Sequence, residues 1–138
     1  LKGGYVLQDA ADAKLILVGT GSEVSLAVDS AKKLAEAGIP TKVVSLPDFY
    51  TFDRQSFEYK KSVFPDGIPV ISIEVMTSYG WDRYAHAHIA LNRFGASAPA
   101  DKLYKKFGFT VEDVVAKGKK AIEYYSGKDV YSRLDGPF

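Results

Sequence analysis

Gly19-Thr20-Gly21-Ser22 stands between a run of aliphatic residues and a stretch of helical period. A turn of this kind at a helix N-terminus offers free backbone N–H groups and the positive end of the helix dipole, which is the chemistry of a phosphate seat. The dinucleotide fingerprint fails, because Val24 holds the place of its third glycine, and the Gly-Lys-Ser/Thr of a P-loop is absent. The same residues also read as a tight turn in which Thr20 caps a helix and Glu23 reaches back to it; this simpler reading is preferred. Anion binding through Gly19, Thr20, Gly21 and Ser22 stays as an expectation to be placed on the fold.

Glu74 falls near the end of an apolar run. An unpaired carboxylate is costly there, so it acts either as a base of raised pKa or as the partner of a backbone group or Arg83. We expect a buried polar network of Glu74, Arg83 and Arg93. Arg93, beside Phe94-Gly95, has the fork geometry to hold an anion or a carboxylate, although a solvated or interface arginine is the preferred reading. His86 and His88 are the only histidines, so any imidazole mechanism must use one of them. On a strand both would leave one face, as metal ligands sometimes do, yet no third ligand is apparent and solvated or interface roles are preferred. Gly95-Ala96-Ser97-Ala98-Pro99 approaches a nucleophile elbow but lacks its final glycine, leaving Ser97 as a cap or turn residue. No catalytic, cofactor-binding or metal-ligating residue is assigned. Phe49, Tyr50 and Phe52 around Asp48 make an aromatic loop, either a ligand wall or a surface for another domain. With the Trp81–Tyr84 turn it is expected to leave apolar surface exposed.

The elements that must position these residues alternate in period. Tyr5–Leu7, Lys14–Gly19, Thr41–Leu46, Ile68–Met76 and His86–Asn92 read as strands, the last as an edge strand. Val24, Ala27, Val28, Ala31 and Leu34 form one face of a helix over Ser22–Ala37, ended by Gly38 and Pro40. A short helix is expected over Asp53–Val63 with Asp53 as its cap, a helical turn at Trp81–Ala85, and a helix over Pro99–Phe107 closed by Gly108. A last helix runs from Thr110 to about Tyr125, with Thr110 and Asp113 as a capping box and Phe109 stapled to Val114. Strands interleaved with helices imply a mostly parallel sheet covered on both faces, with chemistry at Gly19–Ser22, Pro47–Thr51 and Val75–Ser78, the carboxyl ends of its strands.

The 138 residues suit one domain. The absence of cysteine removes disulfides, thiolate nucleophiles and Cys-ligated metals. Eighteen Lys+Arg against 17 Asp+Glu leave no footprint for nucleic acid or an acidic membrane surface. No apolar run approaches the ~18 residues of a membrane span. The only methionine is Met76 and the chain opens at Leu1, so a piece of a longer protein is expected.

Taken in order, Lys2-Gly3-Gly4-Tyr5-Val6-Leu7, Gly19-Thr20-Gly21-Ser22-Glu23-Val24, Val43-Val44-Ser45-Leu46-Pro47-Asp48, Phe52-Asp53-Arg54-Gln55, Ile73-Glu74-Val75, Arg93-Phe94-Gly95-Ala96-Ser97-Ala98-Pro99-Ala100 and Phe107-Gly108-Phe109-Thr110 form a specific series. The series closely resembles the C-terminal domain of transketolase, in wording nearest to the yeast enzymes. The resemblance covers residues 1–126, leaving 127–138 as a tail. It implies a three-layer α/β/α domain with a five-stranded, mostly parallel mixed sheet whose first strand is antiparallel. It implies also a cytoplasmic homodimeric parent enzyme of the pentose phosphate pathway, moving a two-carbon ketol unit between sugar phosphates with thiamine diphosphate and Mg2+ or Ca2+. The family's pyrophosphate and metal motif begins Gly-Asp-Gly, a triplet this chain lacks. The family's catalytic histidines and substrate-phosphate arginine belong to preceding domains, so none is transferred here. The partners implied are those domains and a second subunit. Two alternatives stand beside this expectation: a small regulatory or anion-binding module, and the same domain of a dihydroxyacetone synthase.

Overall fold

Leu15, Ile16, Leu17 and Val18 have no polar face to show to water, and a strand of this kind belongs in the middle of a parallel sheet. The computed structural model, which describes residues 2–21, 23–74, 81–90 and 110–135, places it there. Strand β1 spans Tyr5–Gln8, β2 Leu15–Gly19, β3 Thr41–Ser45, β4 Val70–Glu74 and β5 Ala87–Ala90. Their order across the sheet is β1-β3-β2-β4-β5. β1 runs antiparallel to β3, and the other pairs are parallel, with Leu17 opposite both Val43 and Ile71. The expected five-stranded mixed sheet with an antiparallel first strand is therefore the observed one, and β5 lies at its edge.

Alternation along the strands splits the core. Leu15, Leu17, Val43, Ile71, Ile73 and Ile89 face α1 (Glu23–Glu36) and α4 (Val111–Tyr125), which contribute Ala27, Ala31, Leu34 and Val114. Ile16, Val18, Val44 and Val70 face α2 (Phe49–Asp53), α3 (Phe57–Val63) and a 3₁₀ turn at Trp81–Arg83. α1 stops where expected: Gly38 sits at φ +83°, its N–H reaches the Ala35 carbonyl, and the Ile39 N–H reaches back to Leu34. Thr110 caps α4, accepting from the Asp113 N–H at 3.2 Å and donating its hydroxyl to the Asp113 carboxylate at 2.7 Å.

The single helix expected over Asp53–Val63 is two helices. Asp48 caps the first through the Thr51 N–H and Ser56 caps the second through the Tyr59 N–H, each at 3.1 Å. Asp53 caps neither, because its carboxylate pairs with Arg83. The exposed aromatic surface expected at Phe49–Phe52 and Trp81–Tyr84 is also corrected. Phe52, Trp81 and Tyr84 are buried against one another and Phe64, and only Tyr50 of this group stands well exposed. The loop and the turn close the chain's own core.

Residues 127–135, expected as a tail, are tied to the body where described. The Gly67 N–H donates to the Val130 carbonyl at 2.6 Å, the Ser132 N–H to Asp66 at 2.6 Å, and Leu134 packs on the aromatic cluster. The helix expected over Pro99–Phe107, the Phe109 staple, and residues 75–80 with the expected site segment Val75–Ser78 lie outside the described residues. Among those described, no helix is long and apolar enough to cross a membrane.

Candidate functional site

The carboxyl ends of β2, β3 and β4 meet at one crest of the sheet, where parallel α/β folds hold ligands. Gly19 closes β2 under close approach: a Cβ there would stand 3.3 Å from the Ile73 carbonyl and 3.5 Å from Glu23. Gly21 follows at φ +54°, a left-handed turn that favours glycine. The Glu23 N–H then donates to the Thr20 backbone carbonyl at 3.1 Å and α1 begins. The Thr20 hydroxyl, expected to cap that helix, donates to the Glu74 carboxylate at 3.1 Å. Glu74 is half-buried at the end of the strand beside β2, and a carboxylate in that position takes the nearest donor.

Glu23 is buried too, its Oε2 about 4.0 Å from where a Gly21 Cβ would lie. Two carboxylates thus flank the first turn of α1. The helix N-terminus that would draw a phosphate therefore has carboxylates of the chain itself beside it. Ser22, the fourth residue of the expected anion seat, lies outside the described residues, as do Arg93 and Ser97.

The remaining candidates are engaged locally. Arg83 pairs with Asp53, while Glu74 meets Thr20, so these two members of the expected network sit in separate contacts. Asp48 accepts the Thr51 hydroxyl at 2.6 Å and the Thr51 N–H, and these bonds hold its carboxyl below the usual range. His86 accepts the Val70 N–H at Nδ1, 2.9 Å, and therefore carries its proton on Nε2, which donates to the Tyr131 carbonyl at 2.7 Å. Burial pushes His86 below its ordinary 6.5; the Tyr131 carbonyl opposes that shift and the charge of Arg133 adds to it. His88 shares a hydrogen bond with the Ser72 hydroxyl at 2.8 Å. No group of three or more His, Cys, Asp or Glu residues able to hold a metal occurs among the described residues.

Two features are missed by the sequence reading. Lys42 is 6% exposed on β3, and its ammonium donates to the Ser62 carbonyl at 3.1 Å, at the end of α3. Burial lowers its pKa, with Asp9 opposing. Its signal was its position: two residues from inward-facing Val44, on the same face of an alternating strand. The other is a cavity between β5 and α4, lined in part by Lys117, Lys120 and Tyr124. The spacing of these three residues marks one helix stripe, but nothing in the sequence sets that stripe beside β5.

A family model described as the transketolase-like TK C-terminal domain matches residues 3–110. Over 138 residues the chain is 51% identical to Transketolase 1 of Candida albicans, covering 100% of this chain and 20% of that protein. A crystal structure of transketolase from Pichia stipitis, complexed with sedoheptulose-7-phosphate, is similar with a TM-score of 0.95 at 53% identity, over 99% of this chain and 20% of that one. A split-gene transketolase described as an inactive beta4 tetramer is similar with a TM-score of 0.70 at 26% identity, over 89% of this chain and 43% of that one. The chain spans about a fifth of the length of the curated relatives it matches.

Proposed function

The chain belongs to the transketolase-like C-terminal domain family, and on that premise we propose that it serves as the non-catalytic C-terminal domain of a transketolase. The whole enzyme would transfer a two-carbon ketol unit between sugar phosphates, in the cytoplasmic pentose phosphate pathway, as a homodimer. This domain would contribute packing against the preceding domains and contacts to a second subunit. One observation carries the reading: the likeness runs the full length of the chain at 51% identity, yet occupies 20% of the relative. The engagement of both histidines supports it, since His86 bonds the Val70 and Tyr131 backbone and His88 bonds Ser72. The inactive split-gene tetramer, whose chain includes a similar domain, supports it as well.

Thiamine diphosphate does not fit the described residues, and among them no group of three or more His, Cys, Asp or Glu residues could hold its divalent cation. The strand-to-helix turn that would have to seat the diphosphate is flanked by the carboxylates of Glu23 and Glu74. No step of ketol transfer is therefore assigned to this chain, and both groups are assigned to the preceding domains.

The test is a chimera in which this chain replaces the corresponding fifth of Candida albicans Transketolase 1. We expect a dimer whose ketol transfer stays within about tenfold of the parent, a barrier change of ~1.4 kcal/mol. A folded chimera that is monomeric, or that has lost transfer altogether, overturns the proposal.

A further inference from the structure

Two concave places in the described molecule differ in charge. The Gly19–Gly21 turn has Glu23 and Glu74 beside it. The second place is a cavity of about 440 Å3 between the β5 edge of the sheet and α4. Lys117, Lys120 and Tyr124 line one wall, Ile71 and Ile89 lie on the sheet side with His88, and none of the described lining residues is Asp or Glu. This volume lies in the usual range of small-molecule sites, ~300–1,000 Å3.

The electrostatics follow from the helix. Lys117 and Lys120 are three residues apart, so their ammonium groups are neighbours on one face and repel each other. Neither makes an ion pair among the described residues. In a chain of formal net charge +1, two lysines with no acid among the described lining residues make a local concentration of positive charge. A phosphate monoester is close to a dianion at neutral pH, and placed between the ammonium groups it would cancel their repulsion. The exposed Tyr124 ring offers an apolar wall, and Lys128 sits over that ring at 3.6 Å.

We propose that the β5–α4 cavity is a binding site for a small phosphate monoester bearing an aromatic or apolar group. The phosphate lies between Lys117 and Lys120, and the organic group lies against the Tyr124 ring. The site is independent of ketol transfer and of the crest of the sheet.

The test is titration of the 138-residue chain with phenyl phosphate, followed by backbone amide shifts, with inorganic phosphate and phenol as separate arms. Each face of the sheet carries a core of this chain's own residues, so the chain is suited to study alone. We expect saturable shifts at His86–Ile89 and Lys117–Tyr125 with phenyl phosphate, and binding weaker by at least about tenfold with either control. The double variant Lys117→Ala, Lys120→Ala, at exposed helix positions that alanine suits, should weaken phenyl phosphate binding by at least about tenfold and keep the thermal transition. Lys33→Ala with Lys119→Ala, which removes as much charge outside the cavity, should leave binding unchanged. The proposal is overturned by shifts that do not saturate up to about 10 mM. It is equally overturned by unchanged affinity in the double variant, or by either control binding as tightly as phenyl phosphate.

Discussion

On the α2/α3 face of the sheet, aromatic rings pack against one another. Tyr84 lies 5.2 Å from Phe52 edge to face and 5.4 Å from Phe64 in a stack, and Phe49 meets Trp81 at 4.7 Å. The N-terminal segment is pressed into the same face. The Gly3 carbonyl accepts the Asp48 N–H at 3.0 Å, the Gly4 carbonyl accepts the Tyr59 hydroxyl at 2.7 Å, and Lys2 lies over the Tyr59 ring at 4.2 Å. On the α1/α4 face the core is aliphatic and small, with Ala27, Ala31 and Gly118 where the helices approach. Two of the cavities that flank it measure about 440 and 450 Å3. The first lies against α4, and the second lies between α1 and the residues after β1. The same strands serve both faces, so the difference comes from the side chains set over them. Large rings interlock on one face, whereas small residues leave room at the sheet edges, with Lys117 and Lys120 at one cavity and Asp9, Asp29 and Lys32 at the other.

Glycine substitutions should expose this difference most sharply. Gly3 has φ +81°, and a Cβ there would fall 2.5 Å from both the Asp48 carbonyl and the Phe52 nitrogen, backbone atoms of the α2 turn that cannot step aside. We expect Gly3→Ala to cost about 2–4 kcal/mol, from overpacking and the left-handed penalty together. The Gly118 Cβ would meet the Leu15 methyl at 2.9 Å and Leu34 at 3.5 Å, side-chain ends that can yield. Gly118→Ala gains ~1 kcal/mol of helix propensity against ~1–3 kcal/mol of crowding, for a smaller net loss than Gly3→Ala. Urea unfolding of both variants measures the contrast; equal losses would mean that the two faces tolerate intrusion alike.

The sequence disclosed the central strands and α1 because burial on both sides and a Gly38–Pro40 stop leave local marks. The division of the Asp53–Val63 helix was hidden, since Asp48, Asp53 and Ser56 are all competent caps and only the distant Arg83 takes Asp53 out of contention. An aromatic loop reads the same whether it covers its own core or another domain's, which is why Phe52 and Trp81 were misplaced on the surface. Thr20 was legible as a turn residue but not as the donor to Glu74, 54 residues away in sequence. The β5–α4 cavity depends on a helix and a strand being brought together by the fold, and no local pattern announces that.

A smaller effect should come from the segment that joins the sheet to the C-terminal residues. His86 holds Val70 and Tyr131 together only as the neutral Nε2–H tautomer. Its folded pKa lies below the ordinary 6.5, so below that pH the unfolded chain binds the proton more readily. The stability His86 contributes is full above 6.5 and is lost as pH falls through the lower folded value. Unfolding at neutral pH and at about pH 5 should show a larger loss in the wild type than in His86→Gln. Parallel losses would remove His86 from that role.

The decisive measurement is ketol transfer by the purified 138-residue chain, supplied with thiamine diphosphate, Mg2+ and a ketose phosphate–aldose phosphate pair, beside a calorimetric titration with thiamine diphosphate. We expect no turnover above the blank and no saturable heat. Turnover above the blank, or stoichiometric cofactor binding, would contradict the assignment of this chain as a non-catalytic domain.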